Sequence, residues 1–145
     1  MTLGETDKNA LIEASISAKD FAYAKYSNFR VGCALLSQCG KTITGCNVEN
    51  VSFGLTICAE RTAYCKAISE GITKFKAIAI ATDVKNGSMV SPCGACRQFM
   101  AEFGNIDIIL VNLDRDTKET TLSHLLPMSF DEDALHNGQE NGIKN

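Results

Sequence analysis

Basic charge is in short supply in this chain. Lysine and arginine number 14 against 17 aspartates and glutamates, a net charge of −3, and the sequence pI is about 5.4. A polynucleotide binder carries a basic patch or stripe, so no nucleic-acid partner is expected. Long apolar runs are missing too: nothing approaches the roughly 20 residues of a membrane-spanning helix, and no membrane partner is expected. Residues 1–8 are polar and have no signal-peptide core. Histidine is scarce, with only His124 and His136 present. Repeats and low-complexity linkers are absent. Cysteine is the exception, at seven. An odd number without a secretory segment argues against a disulfide framework and for a reducing compartment. The cytoplasm is the expected location, with the nucleus left open.

What remains is an ordinary globular composition. The chain has 145 residues, 45% of them apolar, enough for one domain with a real core. Residues 1–135 are expected to form that domain. Residues 136–145, rich in Asn and Gly, are expected to be a disordered tail.

Hydrophobic periodicity sets out the elements. Residues 5–26 read as an amphipathic helix, with Thr6 or Asp7 as its cap. Strands follow at 31–36 and 42–48, joined by a turn at 38–41 in which Gly40 supplies the unusual backbone angle. Residues 47–56 read as a loop. A helix over 58–70 would bury Ala59, Ala63, Ala67 and Ile68 and end at Gly71. A strand at 76–82, a loop at 84–91, a helix at 95–103 stopped by Gly104, and a strongly apolar strand at 106–111 complete the centre. Residues 120–121 suggest a short edge strand, and 122–126 a helical turn before Pro127. This order predicts an α/β fold, a three-layer α/β/α sandwich with a mixed five-stranded sheet.

The chemistry is concentrated in two short segments. Cys58-Ala59-Glu60 opens one predicted helix and Pro92-Cys93-Gly94-Ala95-Cys96 opens another. Thiolates bind zinc, and helix N-termini favour negative charge. Cys93 and Cys96, three apart in a first turn, share a face and can grip one ion. Three protein ligands leave the fourth position for water, the arrangement of a catalytic zinc site; the Cys-x-Glu and P-C-x-x-C pair is similar to the pattern of zinc nucleobase deaminases, a resemblance that implies Glu60 as proton carrier. A structural zinc would need a fourth ligand from another cysteine or from the distant His124 or His136. Three thiolates and one Zn²⁺ sum to −1. Arg61 is the candidate to offset that charge by donating to the sulfurs, with Arg97 a second candidate and Gln98 orienting Arg61. The other cysteines, Cys33, Cys39, Cys46 and Cys65, are expected to be small buried or half-buried hydrophobes.

Four segments, YSNFRVGCALL (26–36), GCNVENVSFGLTICAERTA (45–63), SPCGACRQF (91–99) and LLPMSF (125–130), give the chain a wider resemblance. It resembles the small, single-domain, zinc-dependent cytidine deaminases. The resemblance implies one Zn²⁺ per subunit held by Cys58, Cys93 and Cys96, and Glu60 as the proton shuttle. It implies that Phe29 packs beside the pyrimidine, that Asn47 and Glu49 bind the ribose 3′-hydroxyl, and that the Ala59 backbone N–H meets the base. Phe130 matches an aromatic that reaches into a neighbouring subunit, so a homotetramer with shared pockets is implied. The implied reaction is hydrolytic deamination of cytidine and 2′-deoxycytidine to uridine and 2′-deoxyuridine, a step of pyrimidine salvage. Phe53 stands where many relatives carry Tyr, and Cys33 where many carry Ala. Taken singly, Asn47-Val48-Glu49-Asn50 would pass for a polar turn, Phe29 for a core aromatic and Glu60 for an exposed acid. A deaminase of a cytosine nucleoside antibiotic, a nucleic-acid editor and a non-catalytic zinc-stabilised interaction module are the rival readings.

Overall fold

The structure, a computed structural model, describes residues 3–140. In chain order it contains α1 (Glu5–Lys19), β1 (Val31–Ser37), β2 (Thr42–Cys46), α2 (Ala59–Ser69), β3 (Phe75–Thr82), α3 (Gly94–Ala101), β4 (Asp107–Val111), β5 (Thr117–Thr121), α4 (Leu122–Leu125) and α5 (Glu132–Glu140). The strands form one sheet in the order β2-β1-β3-β4-β5. The β3–β4 pair runs parallel; the β2–β1, β1–β3 and β4–β5 pairs are antiparallel. The sheet is therefore mixed and five-stranded, as the sequence predicts.

Alternation along the strands divides the core in two. Cys33, Leu35, Ile78, Ile80, Ile108 and Leu110 face α2 and α3, where Tyr64 packs edge-on against Phe75 at 4.8 Å between ring centroids. Ala34, Leu36, Ala77, Ala79, Ile109 and Val111 face α1 through Leu11 and Ile12. The central strands β1 and β3 are buried on both faces, so they read as apolar runs.

Two glycines on neighbouring strands set how close the helices come. A Cβ on Gly32 would lie 2.3 Å from the backbone of Ser15 and Lys19 in α1. One on Gly45 would lie 2.5 Å from the Ala59 carbonyl and the Ala63 nitrogen in α2. The two helices thus rest directly on sheet backbone, one on each face. The small residues Ala59, Ala63 and Ala67 line the face α2 turns to the sheet, and all three are fully buried.

Several boundaries differ from expectation. The first helix begins after Gly4 with no side-chain cap and stops at Lys19 instead of residue 26. Beyond it the chain turns back, and Tyr23 pairs with the 47–49 segment: its N–H donates to Asn47 O (3.0 Å) and its carbonyl accepts from Glu49 N (2.8 Å). Those long-range bonds override the local helical pattern. The last strand is longer than expected, Thr117–Thr121. The expected tail begins inside α5, where residues 136–140 continue a helix; 141–145 lie outside the described residues. Of the four cysteines read as inward-facing, Cys33 is buried and Cys46 half-buried, but Cys39 and Cys65 are exposed. Cys39 sits in the β1–β2 turn and Cys65 on the outer side of α2, where nothing covers them.

Candidate metal centre and active site

Cys58 and Cys93 occupy the N-cap positions of α2 and α3, and Cys96 lies in the first turn of α3. Both helices start at the same end of the sheet, so the two first turns converge. The three Sγ atoms lie within 4.8 Å of one another, and Cys58 Sγ to Cys93 Sγ is 3.9 Å. Tetrahedral zinc with Zn–S bonds of 2.3 Å requires about 3.8 Å between sulfurs. The donor set and its spacing therefore suit zinc, and no fourth Cys, His, Asp or Glu joins the group among the described residues.

The sulfurs are electrically linked. The neighbouring Cys96 thiol, with Arg61 and Cys93, outweighs burial and lowers the Cys58 pKa to about 5. Cys58 in turn, with burial and Glu60, pushes the Cys96 thiol up. Arg61 Nη2 lies 3.7 Å from Cys58 Sγ and 3.5 Å from the Thr56 carbonyl, and its buried Nε has no hydrogen-bond partner among the described residues. A permanent cation thus stands beside the sulfur cluster.

Glu60 is 4% exposed, in the first turn of α2. Its Oε2 is 3.7 Å from Cys96 Sγ. Burial, reinforced by the charge on Cys58, raises its pKa above the ordinary carboxyl range. A carboxyl so placed takes up a proton more readily near neutral pH than an exposed one. Ala59 is fully buried. No side chain caps this first turn, so the Ala59 N–H has no intrahelical partner.

A cavity of about 380 Å³ is lined by Tyr26, Ser27, Glu49, Phe53 and Thr56. The volume falls in the range of small-molecule pockets. Thr56 links it to the metal ligands through Arg61. Asn47 is 7% exposed and spans the residues around Arg30, its Nδ2 donating to Phe29 O (2.8 Å) and its Oδ1 accepting from Val31 N (2.9 Å). Glu49 accepts from the backbone N–H of Tyr26 and Ser27. Both residues therefore hold the 26–31 segment, a role the sequence did not disclose.

The C-terminal segment meets α3. Gln98 Nε2 donates to the Phe130 carbonyl at 2.8 Å, a different partner from the Arg61 expected of it. The Phe130 ring is 63% exposed. Arg97, considered above as a counter-charge to the sulfurs, spends its guanidinium elsewhere: Nε donates to Pro92 O (2.7 Å), Nη1 to Leu125 O (2.8 Å) and Nη2 to Ser91 Oγ (2.7 Å). It fixes the turn that presents Cys93.

A third cluster was not anticipated. Asp83, at the end of β3, accepts from Lys19 Nζ (2.9 Å), Arg30 Nε (2.9 Å) and Arg30 N (3.2 Å). Lys19 is 4% exposed, and a buried lysine read from sequence alone gives no hint of a carboxylate 64 positions away.

Residues 5–112 match the family model for the cytidine and deoxycytidylate deaminase zinc-binding region. The chain is 51% identical over 126 residues to a cytidine deaminase of Halalkalibacterium halodurans, covering 86% of this chain and 94% of that one. It is 47% identical over 131 residues to a cytidine deaminase of Sporosarcina psychrophila, covering 89% and 95%. Its fold is similar to the crystal structure of a cytidine deaminase from Burkholderia pseudomallei, with a TM-score of 0.80 and 46% identity over 84% of this chain and 98% of that one. Cys58, Cys93 and Cys96 all lie within the matched region and form its metal site here. By sequence and by fold alike, the chain belongs to the zinc-binding cytidine and deoxycytidylate deaminase family.

Proposed function

We propose that this protein hydrolyses cytidine and 2′-deoxycytidine to uridine and 2′-deoxyuridine, releasing ammonia, as a step of pyrimidine salvage. The observation that carries this reading is the buried Glu60 carboxyl 3.7 Å from one of three converged sulfurs. When bound, zinc acts as a Lewis acid that makes water a competent nucleophile near neutral pH. Glu60 Oε2 accepts the proton that the attacking water gives up and delivers it to the ring nitrogen beside the amine-bearing carbon. A second proton passes through the same carboxyl to the departing amine. One side chain serves as base and then acid.

Substrate recognition falls to four residues near the sulfurs and the cavity, of which Glu49 lines the cavity. Phe29 packs beside the pyrimidine, the Ala59 N–H meets the base, and Asn47 and Glu49 hold the ribose 3′-hydroxyl. An acidic group at that hydroxyl and the net charge of −3 favour a free nucleoside over a nucleic acid, whose 3′-phosphate would be repelled. Glu49 keeps one acceptor site beyond its three internal bonds, and a sugar hydroxyl that fills it favours the substrate over an analogue lacking that hydroxyl.

The same proposal includes a homotetramer. Phe21, Val51, Phe53, Leu55, Met128 and Phe130 are each more than 60% exposed in the single chain. Apolar surface of this kind marks a contact face, and Phe130 would complete a neighbour's pocket. Among the described residues no helix is long and apolar enough to cross a membrane, and we assign the protein to the cytoplasm.

The test is ammonia release from cytidine by purified protein, before and after chelation and after zinc is restored. Activity lost and regained with zinc supports the reading. Full activity without metal, or none with it, rejects it. Light scattering on the same sample reads the oligomer.

A further inference from the structure

We propose that Ser27 is a positioning residue for nucleoside recognition: its single hydroxyl occupies one of the two acceptor sites on the Glu49 oxygen left for the sugar, fixing where the remaining site points, and through the same atom it fixes the backbone of Phe29. This rests on the function proposed above and concerns how the sugar and base halves of that site are joined.

Residues 26–30 lie outside any strand or helix, and Asn28 at their centre adopts a left-handed conformation, φ +56°. Such a segment needs side chains to hold it. Ser27 Oγ lies 2.5 Å from Glu49 Oε2 and 3.0 Å from Phe29 N. The direction of both bonds follows from chemistry. A carboxylate only accepts, and a hydroxyl has one hydrogen to give. Ser27 therefore donates to Glu49, and the Phe29 N–H donates to Ser27.

Counting acceptor sites then gives a definite result. A carboxylate offers about four, two on each oxygen. Both on Oε1 are taken by the N–H groups of Tyr26 (3.0 Å) and Ser27 (3.1 Å). On Oε2 one is taken by the Ser27 hydroxyl. One acceptor site remains on Glu49, on the oxygen that Ser27 holds, and Glu49 lines the cavity. It fits one hydroxyl donor from a sugar. The hydrogen bond from Ser27 is also the largest influence holding the Glu49 carboxyl below its ordinary range, so the acceptor stays ionised.

Phe29 is held independently on its other side, where Asn47 binds its carbonyl. Removing the Ser27 hydroxyl should leave the segment folded, with Glu49 Oε1 still held by two backbone N–H groups, but free Oε2 to swing about that anchor and leave the Phe29 amide without its partner. The loss should fall on binding.

The experiment compares cytidine with 3′-deoxycytidine for wild type, Ser27→Ala and Ser27→Thr, with thermal melting as the control for folding. For Ser27→Ala we expect KM for cytidine to rise about tenfold, the size of one charge-assisted hydrogen bond, with kcat within about twofold. The wild-type preference for cytidine over 3′-deoxycytidine should shrink by a similar factor. Ser27→Thr, which keeps the hydroxyl, should restore both. An unchanged KM, a loss confined to kcat, or an undiminished preference overturns the inference. Should Ser27→Ala fail to fold, Ser27→Cys is read by the same criteria, since a thiol donates only weakly. Wild-type protein inert toward cytidine overturns the proposed function first and this inference with it; an active wild type with an unaffected Ser27→Ala overturns this inference alone.

Discussion

Cys33 and Gly45 stand directly opposite one another in the β1–β2 ladder, and the first turn of α2 rests on the pair. The Cys33 thiol donates to the Ala59 carbonyl at 3.0 Å. Gly45 leaves the gap into which that carbonyl and the Ala63 amide fit. Gly45→Ala should therefore cost about 1–3 kcal/mol, the usual range for overpacking, measured by denaturant unfolding. The helix must shift at the turn that carries Cys58 and Glu60, so zinc should also be stripped at lower chelator concentration. Unaltered metal retention would show that the turn does not depend on this seat.

Glu60→Gln tests the proton shuttle. The amide is nearly isosteric but cannot carry a proton. Turnover should fall by at least about 10²–10⁴, the range for a lost general acid–base group, while metal analysis still finds zinc. Near-normal turnover would remove Glu60 from its assigned role.

Arg61→Gln removes the cation beside Cys58. With less positive charge nearby, forming an anionic nucleophile becomes harder, so the pH at which turnover sets in should move up. A pH–rate profile decides it, and a profile that does not move excludes Arg61 from this role.

Arg97→Lys keeps the charge but loses the planar fork that reaches Ser91, Pro92 and Leu125. About 1–3 kcal/mol of stability should go with those bonds. Faster zinc loss in a chelator competition should accompany it, because the turn before Cys93 is no longer pinned. Wild-type zinc retention would show that the turn holds itself.

Asp83 supplies the pH dependence of stability. Burial alone would raise its pKa, but the hydrogen bonds from Arg30 and Lys19 outweigh it and hold the carboxyl below its ordinary value. A depressed carboxyl contributes stability above its unfolded pKa of about 3.9 and loses it as pH falls through the lower folded value. Asp83→Asn should cost about 3 kcal/mol near neutral pH because Lys19 is left buried without its anion. The gap between variant and wild type should narrow in acid. A gap that stays constant down to pH 3 would contradict the ion-pair account.

The metal site was legible because its determinants are local. Cys58 and Cys93 precede helical patterns, and Cys93 and Cys96 have the spacing of one helical turn, so three ligands and Glu60 could be named from two short segments. The sheet was legible because a two-residue alternation or a doubly buried apolar run marks each strand. What could not be read depends on contacts distant in sequence. The end of α1 at Lys19 is set by the 47–49 segment. Arg97 carries the same charge as Arg61 and sits next to a ligand, but nothing in the sequence says that its donors go to three loop atoms rather than to sulfur. Gly45 looks like any strand glycine until the helix above it is placed. Asn47 and Glu49 were identified as ligand-binding residues through family likeness, whereas their hold on residues 26–31 required coordinates.

The N-cap positions of α2 and α3 carry one more consequence. Proteins normally finish a helix start with an oxygen side chain, whereas here both N-cap positions hold a cysteine whose sulfur makes no capping bond and points to the cluster. The ion that draws those sulfurs together would latch two helices at once, so extracting it should loosen more than a reaction centre. Amide hydrogens of residues 59–61 and 94–96 should exchange with solvent together and sooner in stripped protein, while those of the central strands keep their protection. Catalytic competence and local cohesion of the fold would then be two readouts of one binding event.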